Sequence, residues 1–161
     1  MRGALVLIAA GVVIAGGCGG GEDFSDTSAE SEELVIKTSV VGATTPGAEP
    51  IATGEVADGS TLDGSPFCVG GTIVDSHGSP DPEVPLIART ITCREGKVRM
   101  DITPEVSEEM QSEDLTQWGS WEIVSGTGDF EGLRGSGEME IVYDPDPNQP
   151  ARGTYTGTVT H

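Results

Sequence analysis

The chain has 161 residues, among them 24 glycines and 10 prolines, and only 4% of it is aromatic. Acidic residues outnumber basic ones 27 to 8, and the resulting formal charge of −19 repels nucleic-acid phosphates and anionic headgroups, which excludes both as charge-matched partners. That length suits one domain with appendages, and the wealth of Gly and Pro points to an all-β fold with many short turns.

Arg2 and the α-amino group supply a positive start, and an apolar run follows from Ala4 to Ile14, ending in Ala15-Gly16-Gly17-Cys18. The run is far shorter than the roughly 20 residues of a membrane-spanning helix. An apolar core closed by small residues describes a removable export signal instead. With its cysteine directly after the small residues, the segment resembles the lipobox of bacterial lipoproteins, although Ala15 stands where that pattern prefers Leu. The resemblance implies a signal peptide over residues 1–17 and a diacylglyceryl thioether on Cys18. The protein would then be a lipoprotein, held to the cell membrane on its extracytoplasmic side. Each buried methylene of such an anchor contributes about 0.8 kcal/mol, so several acyl chains hold durably. The alternative is an ordinary secretory signal cut nearby, with Cys18 incidental.

From Gly19 to Glu33 the chain is small, polar and acidic, with no basic residue. Such a segment buries too little apolar area to offset its ordering entropy, so residues 18–50 read as an extended acidic linker. Within it, residues 34–41 (LVIKTSVV) form a possible first strand, and an exposed apolar strand invites aggregation unless it joins the domain. Residues 51–161 read as the β domain. Candidate strands are 51–57, 67–75, 85–93, 97–103, 118–125, 135–143 and 151–160, separated by Gly, Pro, Asp and Ser clusters. Trp121 and Ile123 alternate with Glu122, Met139, Ile141 and Tyr143 with Glu138 and Glu140, and Tyr155 and Val159 with threonines. One face is therefore buried and the other wet, as in antiparallel sheet. Residues 104–115 are the one helical candidate, read as a loop with a turn of helix. Seven or eight short strands suit a small closed antiparallel barrel of about eight strands, since closure removes exposed edges.

Cys68 and Cys93 each fall in a predicted strand of an exported domain, where a disulfide is the default. A redox pair would favour Cys-x-x-Cys, which is absent, and zinc would need more ligands than His77 and His161 supply.

The densest motif is GSWEIVSGTGDFEGLRGSG over residues 119–137. A strand ends in Gly126-Thr127-Gly128, a tight corner follows, and a new strand starts at Gly135, with Phe130 and Leu133 placed to plug one barrel end. Through Gly126, Thr127, Gly128, Phe130, Arg134 and Gly135 the chain resembles the allene oxide cyclase and dirigent protein superfamily. The segments FCVGGT and RTITC, residues 67–72 and 89–93, also look like bacterial members with a paired cysteine. The resemblance implies an eight-stranded barrel with an internal cavity, trimeric in several plant members. The plant cyclases isomerise an unsaturated epoxide and dirigent proteins steer radical coupling. The polar cavity residues of those proteins lie outside the corner motif, so no catalytic residue carries over.

Gly126-Thr127-Gly128 lacks the lysine and helix of a phosphate loop, and Gly135-Ser136-Gly137 is too short for a nucleophile elbow. Asp144-Pro-Asp146-Pro-Asn148 spaces oxygens as calcium loops do but lacks the glycine and distal Glu, so it reads as a rigid turn. No cofactor or metal is implied, and no constellation demands catalysis. The favoured reading is a non-catalytic, lipid-anchored barrel that binds a small apolar ligand or an envelope partner, with Trp121, Ile123, Met139, Ile141, Tyr143 and Tyr155 as candidate cavity lining. The alternatives are an isomerase or coupling guide and a structural surface protein with a filled barrel. For the anchor, Cys18→Ser is expected to move the protein from the detergent to the aqueous phase on phase partitioning of host cells. Unchanged partitioning would sink the lipobox reading.

Overall fold

Alternating apolar residues become the inner wall of a closed barrel. The computed structural model describes residues 30–43, 47–81, 83–105, 115–146 and 148–161. The strands are β1 (Glu32–Gly42), β2 (Ala52–Val56), β3 (Thr61–Leu62), β4 (Ser65–Pro66), β5 (Thr72–His77), β6 (Ile87–Thr92), β7 (Gly96–Pro104), β8 (Thr116–Gly128), β9 (Arg134–Val142) and β10 (Ala151–Thr160). Strands β5 to β10 pair consecutively, β2 bridges β5 to β1, and β1 pairs with β10 to close an eight-stranded antiparallel barrel. The short β3–β4 hairpin continues along the edge of β1 where β2 ends, with Leu34 opposite Leu62. Among the described residues there is no helix, and so none long and apolar enough to cross a membrane.

The inward positions are Leu34, Ile36 and Val40 on β1, Ile73 on β5, Ile91 on β6, and Val98, Met100 and Ile102 on β7; β8 to β10 add Trp121, Ile123, Met139, Ile141, Tyr155 and Val159. Each large aliphatic buried this way contributes about 1.5–3 kcal/mol. Glu122, Glu138 and Glu140 occupy the opposite face of their strands. Trp121 is the largest fully buried side chain, and the neighbouring strands make room for it. Its register partners are Gly137 and then Gly157, and a Cβ on Gly157 would stand 2.6 Å from the indole Cζ2. The indole N–H donates to the carbonyls of Glu138 at 3.0 Å and Thr156 at 3.2 Å, which satisfies the ring's single polar atom.

Several sequence expectations shift. The strand predicted at 34–41 belongs to the barrel, and it begins at Glu32, so the acidic segment ends short of Glu33. Strand alternation leaves Glu33 exposed, which lets the charge stay hydrated inside a paired strand. Phe67 is not in a strand, because Cys68 (φ 50°) and Gly70 (φ 76°) adopt left-handed backbone and delay β5 until Thr72. Strand β8 is longer than 118–125 because a register shift opposite Arg99 and Met100 absorbs an extra residue without ending the ladder. Of the helical candidate, Pro104 ends β7 and Leu115 stands before β8; 106–114 lie outside the described residues, as do the signal and Cys18. The β3–β4 hairpin was not anticipated, since two-residue strands carry no alternation to read.

Cys68 and Cys93 are joined, with Cα atoms 5.2 Å apart, tying the turn before β5 to the end of β6. Replacing both with Ala is expected to cost about 3 kcal/mol by releasing the closed loop in the unfolded chain. A lowered urea midpoint, matched by reduced wild-type protein, checks this; an unchanged midpoint would contradict it.

Candidate functional site

The two ends of the barrel are built differently. At one end Phe130 and Leu133 fold inward from the β8–β9 corner, and Phe130 meets Phe67 edge to face at 5.6 Å between centroids. Gly128 (φ 66°) and Gly132 (φ 87°) supply the left-handed backbone that this corner needs. With the disulfide beside it, this end is sealed. Of the corner motif, Gly126, Thr127 and Gly128 finish β8, Arg134 and Gly135 open β9, and the exposed Arg134 donates to the Leu133 carbonyl at 2.8 Å.

At the other end the inner wall turns polar. Asp75 on β5 and Arg89 on β6 are direct register partners, and alternation from Ile73 and Ile91 carries both inside. The guanidinium grips the carboxylate with two bonds, Nε to Oδ1 at 2.8 Å and Nη2 to Oδ2 at 2.7 Å. Tyr155, inward on β10, places its ring 5.0 Å from the Arg89 Cζ. All three are buried, Asp75 and Arg89 at 3% exposure and Tyr155 at 1%. Arg89 Nη1 and Tyr155 Oη make no hydrogen bond of good geometry among the described residues, although the two side chains lie close enough to interact with each other.

Burial works against the Arg89 charge, but hydrogen bonding to Asp75 and the nearby Tyr155 and Asp75 raise its pKa above the ordinary value and keep it protonated. Burial pushes the Tyr155 phenol up as well, against the opposing pull of Arg89. Both groups therefore present N–H or O–H donors throughout the physiological range.

The Arg89 and Tyr155 side chains border a cavity of 190 Å³, though Nη1 and Oη themselves have almost no accessible surface. Thr38, Ile87, Ile141 and Tyr143 complete much of its wall together with Gly153. A Cβ on Gly153 would stand 2.6 Å from Thr38 Oγ1 and 2.8 Å from Tyr155 Cε2, so the glycine makes room for those two side chains to pack against the wall. At the rim, Tyr143 donates to Gln117 Oε1 at 2.8 Å.

Of the six residues expected to line a cavity, Ile141, Tyr143 and Tyr155 do so. Trp121, Ile123 and Met139 do not reach it; they are packed into the solid half. Tyr143 stands beyond the end of β9 and is 41% exposed, so it forms the rim rather than the interior. Asp75 and Arg89 were not singled out from the sequence. Their signal was positional: Arg89 lies two residues from both Ile87 and Ile91, on the face that alternation buries. In the 144–148 turn, Asp144 Oδ1 accepts from the Asp146 N–H at 2.9 Å and Asp146 Oδ1 from the Asn148 N–H at 3.0 Å. Those carboxylates cap their own turn, and no group of metal-ligating side chains occurs among the described residues.

No protein-family model matches the chain, and no curated protein does. Among solved structures it is similar to the pterocarpan synthase dirigent protein PsPTS1, at 18% identity over 82% of this chain and 96% of that one, with a TM-score of 0.34. At that score the likeness carries no argument about ligand or chemistry.

The two donors make opposite demands on stability. Tyr155→Phe is expected to stabilise the fold by about 1 kcal/mol, because a buried hydroxyl without a partner is penalised. Arg89→Met is expected to cost about 3–5 kcal/mol by stranding the Asp75 carboxylate, and adding Asp75→Leu should restore most of it. Urea unfolding of the three variants checks this; a destabilised Tyr155→Phe would mean that the hydroxyl is paired in solution.

Proposed function

We propose that the chain is an exported, lipid-anchored envelope protein whose barrel binds a small molecule in the cavity beside Arg89 and Tyr155. The observation that carries the binding reading is the 190 Å³ cavity whose wall includes the buried Asp75–Arg89 pair and Tyr155. A buried ion pair is costly to desolvate, and placing one beside open space suits a ligand that carries a polar atom. The size is apt, since a cavity of about 150 Å³ accommodates a benzene ring. The small apolar ligand expected of a hollow barrel is thereby refined to one that carries a polar atom among its apolar ones. Export and anchoring rest on the resemblance of residues 1–18 to a lipoprotein signal.

The same residues favour a second reading. Groups that hold an acceptor oxygen also stabilise negative charge developing on it, as an isomerase or coupling guide requires. Binding without turnover is the simpler account, because Arg89 already holds Asp75, the Tyr143 phenol donates to Gln117, and the Thr38 hydroxyl has no base beside it on the wall.

The test is native mass spectrometry of the Cys18→Ser chain, purified from its host without detergent, beside the same chain carrying Tyr155→Phe. The expected result is a reproducible added mass, lost on denaturation and reduced in occupancy by Tyr155→Phe. A bare protein mass in every preparation would overturn the binding reading.

A further inference from the structure

The outer surface at the cavity end carries a feature that closing the barrel does not require. Trp118 lies on the wet face of β8 and, at 55% exposure, is the most exposed large apolar side chain among the described residues. Its register partner on β9 is Glu140, and on its other side the Glu105 N–H donates to the Trp118 carbonyl at 2.8 Å. Side chains opposite one another on neighbouring strands lie about 5 Å apart, so the indole stands between two carboxylates. Such a ring attracts a guanidinium or ammonium through its own quadrupole and through both flanking charges. The chain does not supply that cation itself. Among the described residues neither Glu105 nor Glu140 is in an ion pair, and the one cation–π contact is that of Arg89 with Tyr155 inside the barrel.

Glu105 also stands on the wall of a groove of 660 Å³, as does Gln117, the residue before Trp118. That wall mixes hydrocarbon with negative charge. Ile51, Pro80, Val84 and Leu86 supply the first, with Val84 48% exposed, and Asp81 joins Glu105 in supplying the second. His77 is its one basic side chain, and Nε2 already lies 3.9 Å from the Glu49 carboxylate. The 78–86 connection closes on itself, Gly78 donating to the Leu86 carbonyl at 2.7 Å and Leu86 to that of Val84 at 2.8 Å, which fixes this side of the groove. The described residues of the four connections at this end include Glu49, Asp81, Glu83, Glu105, Asp144 and Asp146 but no Lys or Arg. Exposed hydrocarbon beside a bare Trp, ringed by one sign of charge, describes a docking surface for the opposite sign.

We propose that this face docks a basic, extended segment of a partner protein, with one Arg or Lys resting on Trp118 between Glu105 and Glu140 and a neighbouring aliphatic side chain lying against Val84 in the groove. A protein segment suits it better than a free polyamine, because the groove rewards hydrocarbon as well as charge. A second copy of this chain suits it less, since a formal charge of −19 repels its own kind. The docking face is on the outside of the barrel and is independent of whether the cavity of the preceding subsection takes a ligand.

The test is calorimetric titration of the Cys18→Ser chain with end-blocked hexapeptides that alternate Arg with Val, Arg with Ser, or Glu with Val, and with spermine. The Arg-Val peptide is expected to bind about fourfold more tightly than the Arg-Ser peptide. Trp118→Ala should weaken it by about two- to fivefold. Val84→Ser should weaken the Arg-Val peptide and leave the Arg-Ser peptide unchanged. Both positions are exposed, so the urea midpoint should stay at the wild-type value in each variant. Arg-Val binding that ignores both substitutions would be diffuse attraction to an acidic chain and would overturn the site, as would no binding at all. A Glu-Val peptide that binds as tightly would overturn the charge complementarity, and spermine that does so would overturn a protein partner. Self-association of the chain that Trp118→Ala abolishes would give the face to a second copy and overturn the proposal as well.

Discussion

The pairing of β1 with β10 is the constraint on which the rest of the molecule depends. It runs without interruption from Glu32 opposite Val159 to Val40 opposite Ala151. Strands β2 and β5 to β10 could form an open sheet without it, but the inner faces of Tyr155, Val159 and Met139 would then look into water. Closing the ring buries them against Leu34 and Ile36 and leaves neither β1 nor β10 with a long free edge. The cavity depends on the same seam, since Thr38 and Val40 of β1 and Gly153 and Tyr155 of β10 stand on its two sides.

Within that ring the interior is divided by side-chain size. Toward the corner motif, Trp121, Ile123, Phe130 and Leu133 fill the space, and Gly157 on β10 leaves room for the indole. Toward the other end the inner wall carries Thr38, Asp75, Arg89 and Gly153, which are polar or absent where the packed half is apolar and large. A buried Asp–Arg pair is a poor stabilising device, because the desolvation of two charges consumes most of their attraction. It stands in the half with space rather than the packed half, on the wall of the cavity.

Much of the fold was legible because alternation is strong where one face is wet. Glu122, Glu138 and Glu140 mark the outside of β8 and β9 so plainly that the inside follows. The corner at Gly126 to Gly135 was legible for a different reason, since glycines at fixed spacing around Phe130 leave few backbone paths. The site was much less so. Arg89 reads as a surface residue by type, and only its position between Ile87 and Ile91 places it inside; the sequence holds no sign that Asp75, on a different strand, is its register partner. Trp121 and Met139 were indistinguishable by pattern from Ile141 and Tyr155, because alternation tells inside from outside and is silent about depth along the barrel.

The direction of β1 has a geometric result. The strand enters at Glu32, beside Val159 and the sealed end, and leaves at Gly42 next to Ala52 and the cavity. A barrel held through the residues that precede β1, as proposed above, would be joined at its closed base, at the end away from the cavity. The point of attachment then leaves the cavity mouth unobstructed, whichever way the barrel turns on its linker.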